Sequence, residues 1–377
     1  MKKDFFTRFG EAFSPHSYFA PGRVNLIGEH IDYNGGLVLP IAISLGIEAM
    51  VQPTQTDFIR IQSLQAPGEL ILDIKTPDFS KREAHWQNYP LGILQFLHQK
   101  DIPLQACQIL LNSTLPMGSG LSSSAAIEVL TAYLFLHLAE QPIDTIQIAQ
   151  WAQQVENEFM GVQCGIMDQY AVANAQANKA MLLDCASLDC QQIPFQLEAH
   201  QLLILDSKNP RKLADSKYNE RKKECEEALA IIQKALPVPN LCATPLMALS
   251  LLKNPVLNKR AKHVITEQKR VQQAAQALQK DNFSTFGKLM TDSHKSLKND
   301  YEVTGEALDT IVEAALKHPA CVGARMTGAG FGGCAIALVD KLGSIDFIEF
   351  VLGEYQQKMG TQAAIYEAQA FDGVGIL

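Results

Sequence analysis

The chain has 377 residues, of which 47% are hydrophobic and 19% charged, the balance of a globular protein with a large core, which excludes disorder or a coiled coil as the main architecture. Its 32 basic and 40 acidic side chains give a formal net charge of −8 at pH 7, which argues against general binding to nucleic acid or to an anionic membrane. The length favours two closely packed units. The negative net charge does not exclude a local binding site for a phosphate group.

The eight cysteines include no CxxC pair, and no apolar run approaches the roughly 18 residues that span a bilayer. The two lysines near the N-terminus are not followed by an apolar stretch of signal-peptide length. We therefore expect a cytoplasmic protein with free thiols, most of which are small buried side chains. We expect no nucleic-acid, membrane or protein partner, and a monomer.

Hydrophobic periodicity predicts strands in the first third of the chain, helices in the middle, and alternating strands and helices at the end. We expect strands at 37–50, 58–63, 70–75, 106–112, 180–185, 201–206, 321–326, 334–339 and 363–369, and helices at 121–138, 143–159, 166–175 and 345–359, with a mostly helical stretch at 215–318. Such segregated blocks indicate an α+β fold rather than a doubly wound Rossmann sheet. A break in the pattern near residue 195 predicts two domains, 1–195 and 196–377.

The segment PMGSGLSSSAA (residues 116–126) follows a predicted strand and opens a long helix. Its glycines permit positive φ angles and close approach of a ligand. Its three serines are expected in the first helical turn, where backbone N–H groups lack helical partners. This arrangement binds phosphate without a basic side chain, although it is not a Walker A loop. The alternative is an ordinary serine cap, but three serines exceed what one cap needs, so phosphate binding is favoured.

The segment APGRVNLIGEHIDYNGG (residues 20–36) has the character of a glycine-rich loop that carries Arg23, Glu29, His30 and Asp32. Carboxylates at this spacing can accept hydrogen bonds from several hydroxyls of one polyol, and Arg23 can hold a developing phosphoryl charge. The alternative is a solvated polar loop, in which His30 is structural.

Glu156 and Asp168 would lie about 18 Å apart on one continuous helix, too far to serve one site. Gly161 and Gly165 predict a break between them, which would let the chain turn and bring both acids together. The pair would then suit a metal ligand and a base, whereas without the turn Glu156 would be a solvated helix residue.

A third glycine-rich segment, ARMTGAGFGGC (residues 324–334), lies between two predicted strands. It is either a tight packing turn or a ligand loop, and only its combination with the other segments favours the ligand loop.

Taken together, these segments resemble the galactokinases of the GHMP small-molecule kinase superfamily. The three motifs are PGRVNLIGEH (21–30), GSGLSSSA (118–125) and MTGAGFGG (326–333), and further similar stretches are CGIMDQ (164–169), SKYNER (216–221) and SHKSLKNDYEVT (293–304). The glycine-serine loop is typical of the whole superfamily, whereas GEHxDYNGG together with CGIMDQ is typical of galactokinases. The resemblance extends from about residue 15 to about residue 340.

The resemblance implies an N-terminal ribosomal-S5-like domain, a C-terminal ferredoxin-like domain and an active site between them. It implies that ATP phosphorylates the anomeric hydroxyl of D-galactose, which gives galactose 1-phosphate and ADP, with Mg²⁺ as cofactor. The implied catalytic residues are Asp168, as a base or an orienting group, and Arg23 beside it.

The resemblance also implies the binding residues. The sugar would be bound by Glu29, His30, Asp32, Gly165 and Tyr218. The ATP phosphates would be bound by Gly118, Ser119, Gly120, Leu121, Ser122, Ser123 and Ser124, and Mg²⁺ by Ser124 and Glu156. Ile31 stands where galactokinases commonly have Thr, which leaves the fine sugar preference open.

Two alternatives remain. The first is a related kinase for another monosaccharide, for mevalonate or for homoserine, and Glu29, His30 and Asp32 favour a sugar over the last two. The second is a galactokinase-like sensor without activity, against which the intact glycine-serine loop, Arg23 and Asp168 argue.

Overall fold

The structure is a computed structural model that describes residues 1–10, 15–83, 85–209 and 214–377, without the side chains of 214–216. This part of the chain forms three β-sheets and ten helices of at least eight residues. Ser216, which belongs to the SKYNER stretch, therefore has no described side chain. The helices are α1 (Lys2–Phe9), α2 (Asn88–Gln99), α3 (Ser123–Leu138), α4 (Thr145–Val155), α5 (Met167–Asn174), α6 (Ala214–Gln233), α7 (Pro255–Leu278), α8 (Phe283–Ser296), α9 (Glu306–Lys317) and α10 (Ser344–Met359). The strands are β1 (His16–Asn25), β2 (Leu37–Val38), β3 (Pro40–Pro53), β4 (Phe58–Ser63), β5 (Glu69–Asp73), β6 (Cys107–Ser113), β7 (Lys179–Asp184), β8 (Cys190–Pro194), β9 (His200–Asp206), β10 (Cys321–Met326), β11 (Cys334–Asp340), β12 (Ala364–Ala368) and β13 (Gly375–Ile376).

The largest sheet has the strand order β13-β1-β3-β6-β4-β5, with β4 and β6 parallel and the other neighbours antiparallel. A second, antiparallel sheet has the order β10-β11-β9-β12, and α8 and α9 pack against β10. A third sheet joins β2, β7 and β8. The predicted α+β class is confirmed, and the predicted strands and helices after residue 36 are present within a few residues.

The interpretation of residues 20–36 as one loop is wrong in its first part, because β1 continues through Asn25 and carries Arg23 within the sheet. The register between β1 and β3 shifts between Pro21 and Gly22, which is the irregularity expected where a strand contains Pro and Gly. Residues 20–25 are all buried, so the alternation that identifies a half-exposed strand is missing. Arg23 therefore projects from a rigid element directly after a bulge.

Helix α3 is buried on nearly all sides and mostly apolar, as expected for a helix enclosed by the core. It packs against β1, β3, α2, α4 and α5. The helix begins at Ser123, and Ser122 precedes it with a φ of 65°. Only two of the three serines therefore belong to the first turn, and the Ser122 side chain does not cap the helix. The ordinary-cap alternative is wrong for this residue.

The predicted break between Glu156 and Asp168 is confirmed. Helix α4 ends at Val155, a π-helical turn covers Glu156–Met160, and Gly161 ends that turn with a φ of 85°. The chain then reverses so that α5 packs beside α4. Both acids now face one region at the start of α5.

The predicted domain junction near residue 195 falls between β8 of the three-stranded sheet and β9 of the four-stranded sheet. Strand β13, from the end of the chain, pairs with β1 at Tyr18 and Phe19. The exact division into 1–195 and 196–377 stays a prediction. None of the described helices is long and apolar enough to cross a membrane, and all eight cysteines, which lie in the described part of the chain, are free thiols.

Candidate active site

Two adjoining cavities meet where β1, α3 and α5 come together. The first, here the phosphate cavity, has a volume of about 480 Å³ and is lined by Gly118, Gly120 and Ser122–Ser124 of the glycine-serine loop. The second, the sugar cavity, has a volume of about 330 Å³ and contains the predicted sugar residues on its wall. The wall that the two cavities share includes Arg23, Ser124 and Asp168.

Asp168 is held at this shared wall by two residues. Arg23 donates from Nε to Oδ1 at 2.8 Å and from Nη2 to Oδ2 at 2.5 Å, the two-pronged geometry that orients a carboxylate most firmly. Ser122 Oγ donates to Oδ2 at 2.6 Å. The Asp168 side chain nevertheless remains 30% exposed, whereas that of Arg23 is 4% exposed. The carboxylate is therefore fixed in direction and still open to a ligand.

The glycine-serine loop wraps the phosphate cavity in an irregular backbone conformation. Gly118, Gly120 and Ser122 all have positive φ angles between 65° and 75°. Alternation of left-handed and ordinary conformations forms the amide-lined concavities that bind anions. The Gly120 carbonyl accepts a bond from Arg23 Nη1 at 2.9 Å, which joins the loop to the Arg23–Asp168 pair. The two other predicted loop residues, Ser119 and Leu121, are buried behind the described wall, and the Leu121 carbonyl accepts from Arg23 N at 3.2 Å.

Glu156 is buried beside the start of α3, where its carboxyl group interacts with the Ser124 hydroxyl and accepts a bond from Gln169 at 2.6 Å. Burial, followed by the charge of Asp168, raises the pKa of Glu156 to about 7. Glu128, one turn after Ser124, is fully buried, and its carboxyl group lies within hydrogen-bond reach of that of Glu156. Burial and the neighbouring Glu156 raise the pKa of Glu128 well above its ordinary value. Two adjacent buried carboxyl groups require a cation or a proton.

Asp32 lies directly against Gly165 in the sugar cavity. A Cβ atom at residue 165 would lie 2.0 Å from Asp32 Oδ2, so only glycine fits there without displacing the carboxyl group. Burial and the charge of Asp168 raise the pKa of Asp32 to about 7. The break between α4 and α5 therefore supplies both Asp168 and the glycine that admits Asp32.

His30 occupies a positive-φ position and uses both ring nitrogens within the protein. Its Nε2 contacts the Ala329 carbonyl at 3.1 Å, which can only accept, so Nε2 carries the hydrogen. Its Nδ1 then accepts from the Tyr33 hydroxyl at 2.9 Å, and Tyr33 is joined to Tyr301 at 2.8 Å. Burial lowers the pKa of His30 to about 3, which agrees with a neutral ring. The His30 ring also faces that of Tyr218, with centroids 5.4 Å apart.

Glu29 is 1% exposed and connects the first motif to the third. Its carboxylate accepts from Asn25 Nδ2 at 2.5 Å, from the Gly328 amide at 2.6 Å and from Arg325 Nη1 at 3.5 Å. Burial raises its pKa, and Arg325 opposes that rise. Oε1 accepts two of these bonds and Oε2 one, so Oε2 has room for a further donor, because a carboxylate offers about four acceptor sites.

Arg325 was not predicted as a functional residue. It is fully buried, it donates to the Asn25 carbonyl at 2.9 Å, and its Nε and Nη2 have no hydrogen-bond partner among the described residues. An arginine inside an otherwise apolar strand, directly before a glycine-rich turn, was the available signal. Ile31, by contrast, is fully buried in the core and does not line the described wall of the sugar cavity.

The two-domain α+β fold and the two adjoining cavities are those of a GHMP kinase, and comparisons with known proteins agree. Residues 88–176 match the GHMP kinases N terminal domain, and residues 274–356 match the GHMP kinases C terminal domain. Mevalonate kinase of Methanococcus jannaschii superposes with a TM-score of 0.70 over 95% of this chain and 99% of that one, but at 21% identity it shows the shared fold alone.

More specific similarities concern galactokinases. Residues 3–53 match the galactokinase galactose-binding signature. The galactokinase of Exiguobacterium sibiricum is 42% identical and covers 99% of this chain and 96% of its own. The structure of Lactococcus lactis galactokinase complexed with galactose superposes with a TM-score of 0.95 at 36% identity, covering 100% of this chain and 98% of that one. The chain belongs to the galactokinase family.

Proposed function

We propose that the chain transfers the terminal phosphoryl group of ATP to the anomeric hydroxyl of D-galactose, with Arg23 and Asp168 as its catalytic residues. The observation that carries this assignment is the place of the Arg23–Asp168 pair on the wall shared by the phosphate and sugar cavities. A hydroxyl bound in one cavity and a triphosphate bound in the other would meet at that wall. Family membership supports galactose and ATP as the two substrates.

Asp168 is proposed to accept or orient the proton of the anomeric hydroxyl through Oδ1. Its Oδ2 accepts from both Arg23 and Ser122, whereas Oδ1 accepts only from Arg23 Nε among the described residues. Oδ1 therefore retains an acceptor site for the substrate. Arg23 uses three of its five N–H bonds on Asp168 and Gly120, which leaves two for oxygens of the transferred phosphoryl group. Alignment and charge stabilisation of this kind are most of what a loose phosphoryl transition state requires.

The sugar is proposed to bind to Glu29, His30, Asp32, Gly165 and Tyr218. All five line the sugar cavity. Asp32 and Glu29 supply acceptors for hydroxyl groups, Gly165 supplies backbone contacts, and Tyr218 supplies a ring and a hydroxyl. His30, whose ring nitrogens are both engaged, contributes chiefly by fixing Tyr33 and the 328–329 turn.

Mg²⁺ is proposed to bind at Ser124 and Glu156. A hydroxyl and a carboxylate are hard oxygen donors of the kind Mg²⁺ prefers, and the adjacent buried Glu128 carboxyl adds negative charge that a cation or a proton must balance. No cluster of three or more His, Cys, Asp or Glu side chains suited to a metal occurs in the described residues, which fits an ion that takes most ligands from phosphate and water. When bound, the ion would neutralise the triphosphate charge.

A cytoplasmic location and action as a monomer also belong to the proposal. The eight free thiols support a reducing compartment. Light scattering after size-exclusion chromatography and fractionation of cells test these two points.

The activity is tested by measuring coupled ADP release from Mg-ATP with a panel of acceptors that includes galactose, arabinose, galactosamine, N-acetylgalactosamine, glucose and mevalonate. We expect galactose to be the best acceptor. Higher turnover with glucose or mevalonate would overturn the assignment, and binding of both substrates without ADP release would indicate a sensor.

A further inference from the structure

A charged segment at the end of β9, residues 206–209, forms part of the phosphate cavity and has no role in the assignments above. Asp206, Lys208 and Asn209 line this cavity together with the glycine-serine loop. The segment comes from the four-stranded sheet, whereas the loop precedes α3. A ligand in the cavity would therefore contact both parts of the chain.

The segment is built to hold the Lys208 side chain in one place. Asp206 Oδ1 accepts from the backbone amide of Lys208 at 2.9 Å, and this bond accompanies a φ of 53° at Lys208. The Lys208 ammonium lies 2.7 Å from Asp206 Oδ2 and donates to the Tyr366 hydroxyl at 3.1 Å. Asp206 is 3% exposed and Lys208 43% exposed, so a buried carboxylate anchors an accessible cation.

The segment is also joined to the third motif. The Ser207 amide and hydroxyl both donate to the Gly333 carbonyl, at 3.0 and 2.7 Å. The Gly333 amide in turn donates to the Asn209 carbonyl at 3.3 Å. These bonds fix the position of the segment relative to the turn that borders the sugar cavity.

The phosphate cavity has few cationic side chains on its described wall, and this points to a function for Lys208. The glycine-serine loop offers amides and hydroxyls but has no cationic side chain, and Arg23 is bound to Asp168 and to the Gly120 carbonyl. Arg23 and Lys208 are the cationic side chains on the described wall of the cavity. An ammonium has three N–H donors, of which Asp206 and Tyr366 take two. We propose that Lys208 binds the triphosphate of ATP with its remaining donor, an inference that rests on the proposed function.

The test compares Lys208→Gln with Lys75→Gln, which removes an exposed lysine from a similar pair, Lys75–Asp57 at 2.8 Å. We expect Lys208→Gln to raise the KM for ATP and the Kd for ADP by about tenfold, the size of a lost charge-assisted hydrogen bond. The affinity for adenosine and the KM for galactose should change less than about twofold, because neither ligand contacts the ammonium through a phosphate. Lys208→Arg should recover most of the ADP affinity, and Lys75→Gln should resemble the wild type.

A measurement on the wild-type protein covers the case in which Lys208→Gln does not fold. Acetylation of Lys208, quantified by mass spectrometry, should be slowed by saturating ADP and not by adenosine or galactose, with Lys75 as the internal reference. Unchanged ATP and ADP constants in a folded Lys208→Gln protein would overturn the inference, as would equal losses for adenosine and ADP or acetylation that ADP does not slow. A wild-type protein that releases no ADP with galactose would instead contradict the proposed function.

Discussion

Asp168 differs from the buried acids Glu29 and Glu156 because its side chain is 30% exposed although Arg23 and Ser122 hold it in place. Arg23 and Ser122 saturate Oδ2, and a single bond from Arg23 reaches Oδ1. Sequence analysis predicted Arg23 and Asp168 as neighbours, but only through the family resemblance, since 145 positions separate them. The Ser122 contact was not predicted, because helix-start serines ordinarily cap backbone amides.

Replacement of Asp168 by Asn tests its part in proton transfer. We expect kcat to fall by about 10²-fold or more, since an amide keeps the shape but loses the basicity. Galactose affinity should remain within about tenfold, because the amide oxygen still accepts a hydrogen bond. Single-turnover transfer from labelled ATP at saturating galactose measures this step. A near-normal transfer rate would leave Arg23 and the metal ion as the main source of rate enhancement.

Replacement of Asp32 by Asn tests the role of its carboxyl group in the sugar cavity. The folded protein raises the pKa of Asp32 from 3.8 to about 7, so between these values it keeps a proton that the unfolded chain releases. The protonated Asp32 therefore adds to the free energy of unfolding at low pH, and this contribution is lost as the pH rises to about 7. We expect the ligand-free Asn variant to be more stable than the wild type at pH 8 by at least about 1 kcal/mol, and the difference to shrink at pH 5.

Urea unfolding at the two pH values checks this expectation, and the KM for galactose, which should rise by about tenfold, checks the binding role of the same side chain. A parallel loss of stability in both proteins between pH 5 and pH 8 would show that Asp32 titrates normally.

At the scale of elements, the turn between α4 and α5 brings together Glu156 and Asp168, which a continuous helix would separate. Gly161 and Gly165 indicated this break in the sequence, and the structure adds the reason for Gly165, which is the contact with Asp32. The helical segments were predictable because their apolar spacing is regular. Strand β1 was not, because Pro21, Gly22 and burial of both faces remove the alternation on which such a prediction depends.

Replacement of Glu156 by Gln tests whether this turn forms a metal site. We expect the Mg²⁺ concentration for half-maximal activity to rise by at least about tenfold, because an amide oxygen is a weaker ligand than a carboxylate. Binding of Mn²⁺ in the presence of ADP, followed by electron paramagnetic resonance, should weaken in parallel. Glu158→Gln is the matched control, since Glu158 lies on the same turn but is exposed and bonded to Gln154. Galactose affinity that falls as much as metal affinity would contradict this division of roles.

At the scale of the whole molecule, the loop proposed to bind the sugar is held by residues from distant parts of the chain. Glu267 of α7 accepts from the Gly28 amide at 3.0 Å, and His263 contacts the Glu29 carbonyl at 3.1 Å. Arg325 of β10 bonds to the Asn25 carbonyl and to the Glu29 carboxylate. Long-range pairing of buried polar groups leaves little trace in a single sequence, so sequence analysis did not predict these three residues.

Replacement of Arg325 by Met tests whether the contacts of this β10 residue with Asn25 and Glu29 support the sugar site. Glu29 would lose its buried cationic partner, and breaking such a pair from one side costs about 3–5 kcal/mol of the free energy of unfolding. We expect a loss of that order in urea unfolding, together with weaker galactose binding by calorimetry and nearly unchanged ADP binding. The double variant Arg325→Met, Glu29→Gln should regain part of the stability, because the uncompensated charge is gone, yet it should not regain sugar affinity. If the stability change of the double variant equals the sum of the changes in Arg325→Met and Glu29→Gln alone, the two residues do not act as a pair despite their 3.5 Å separation.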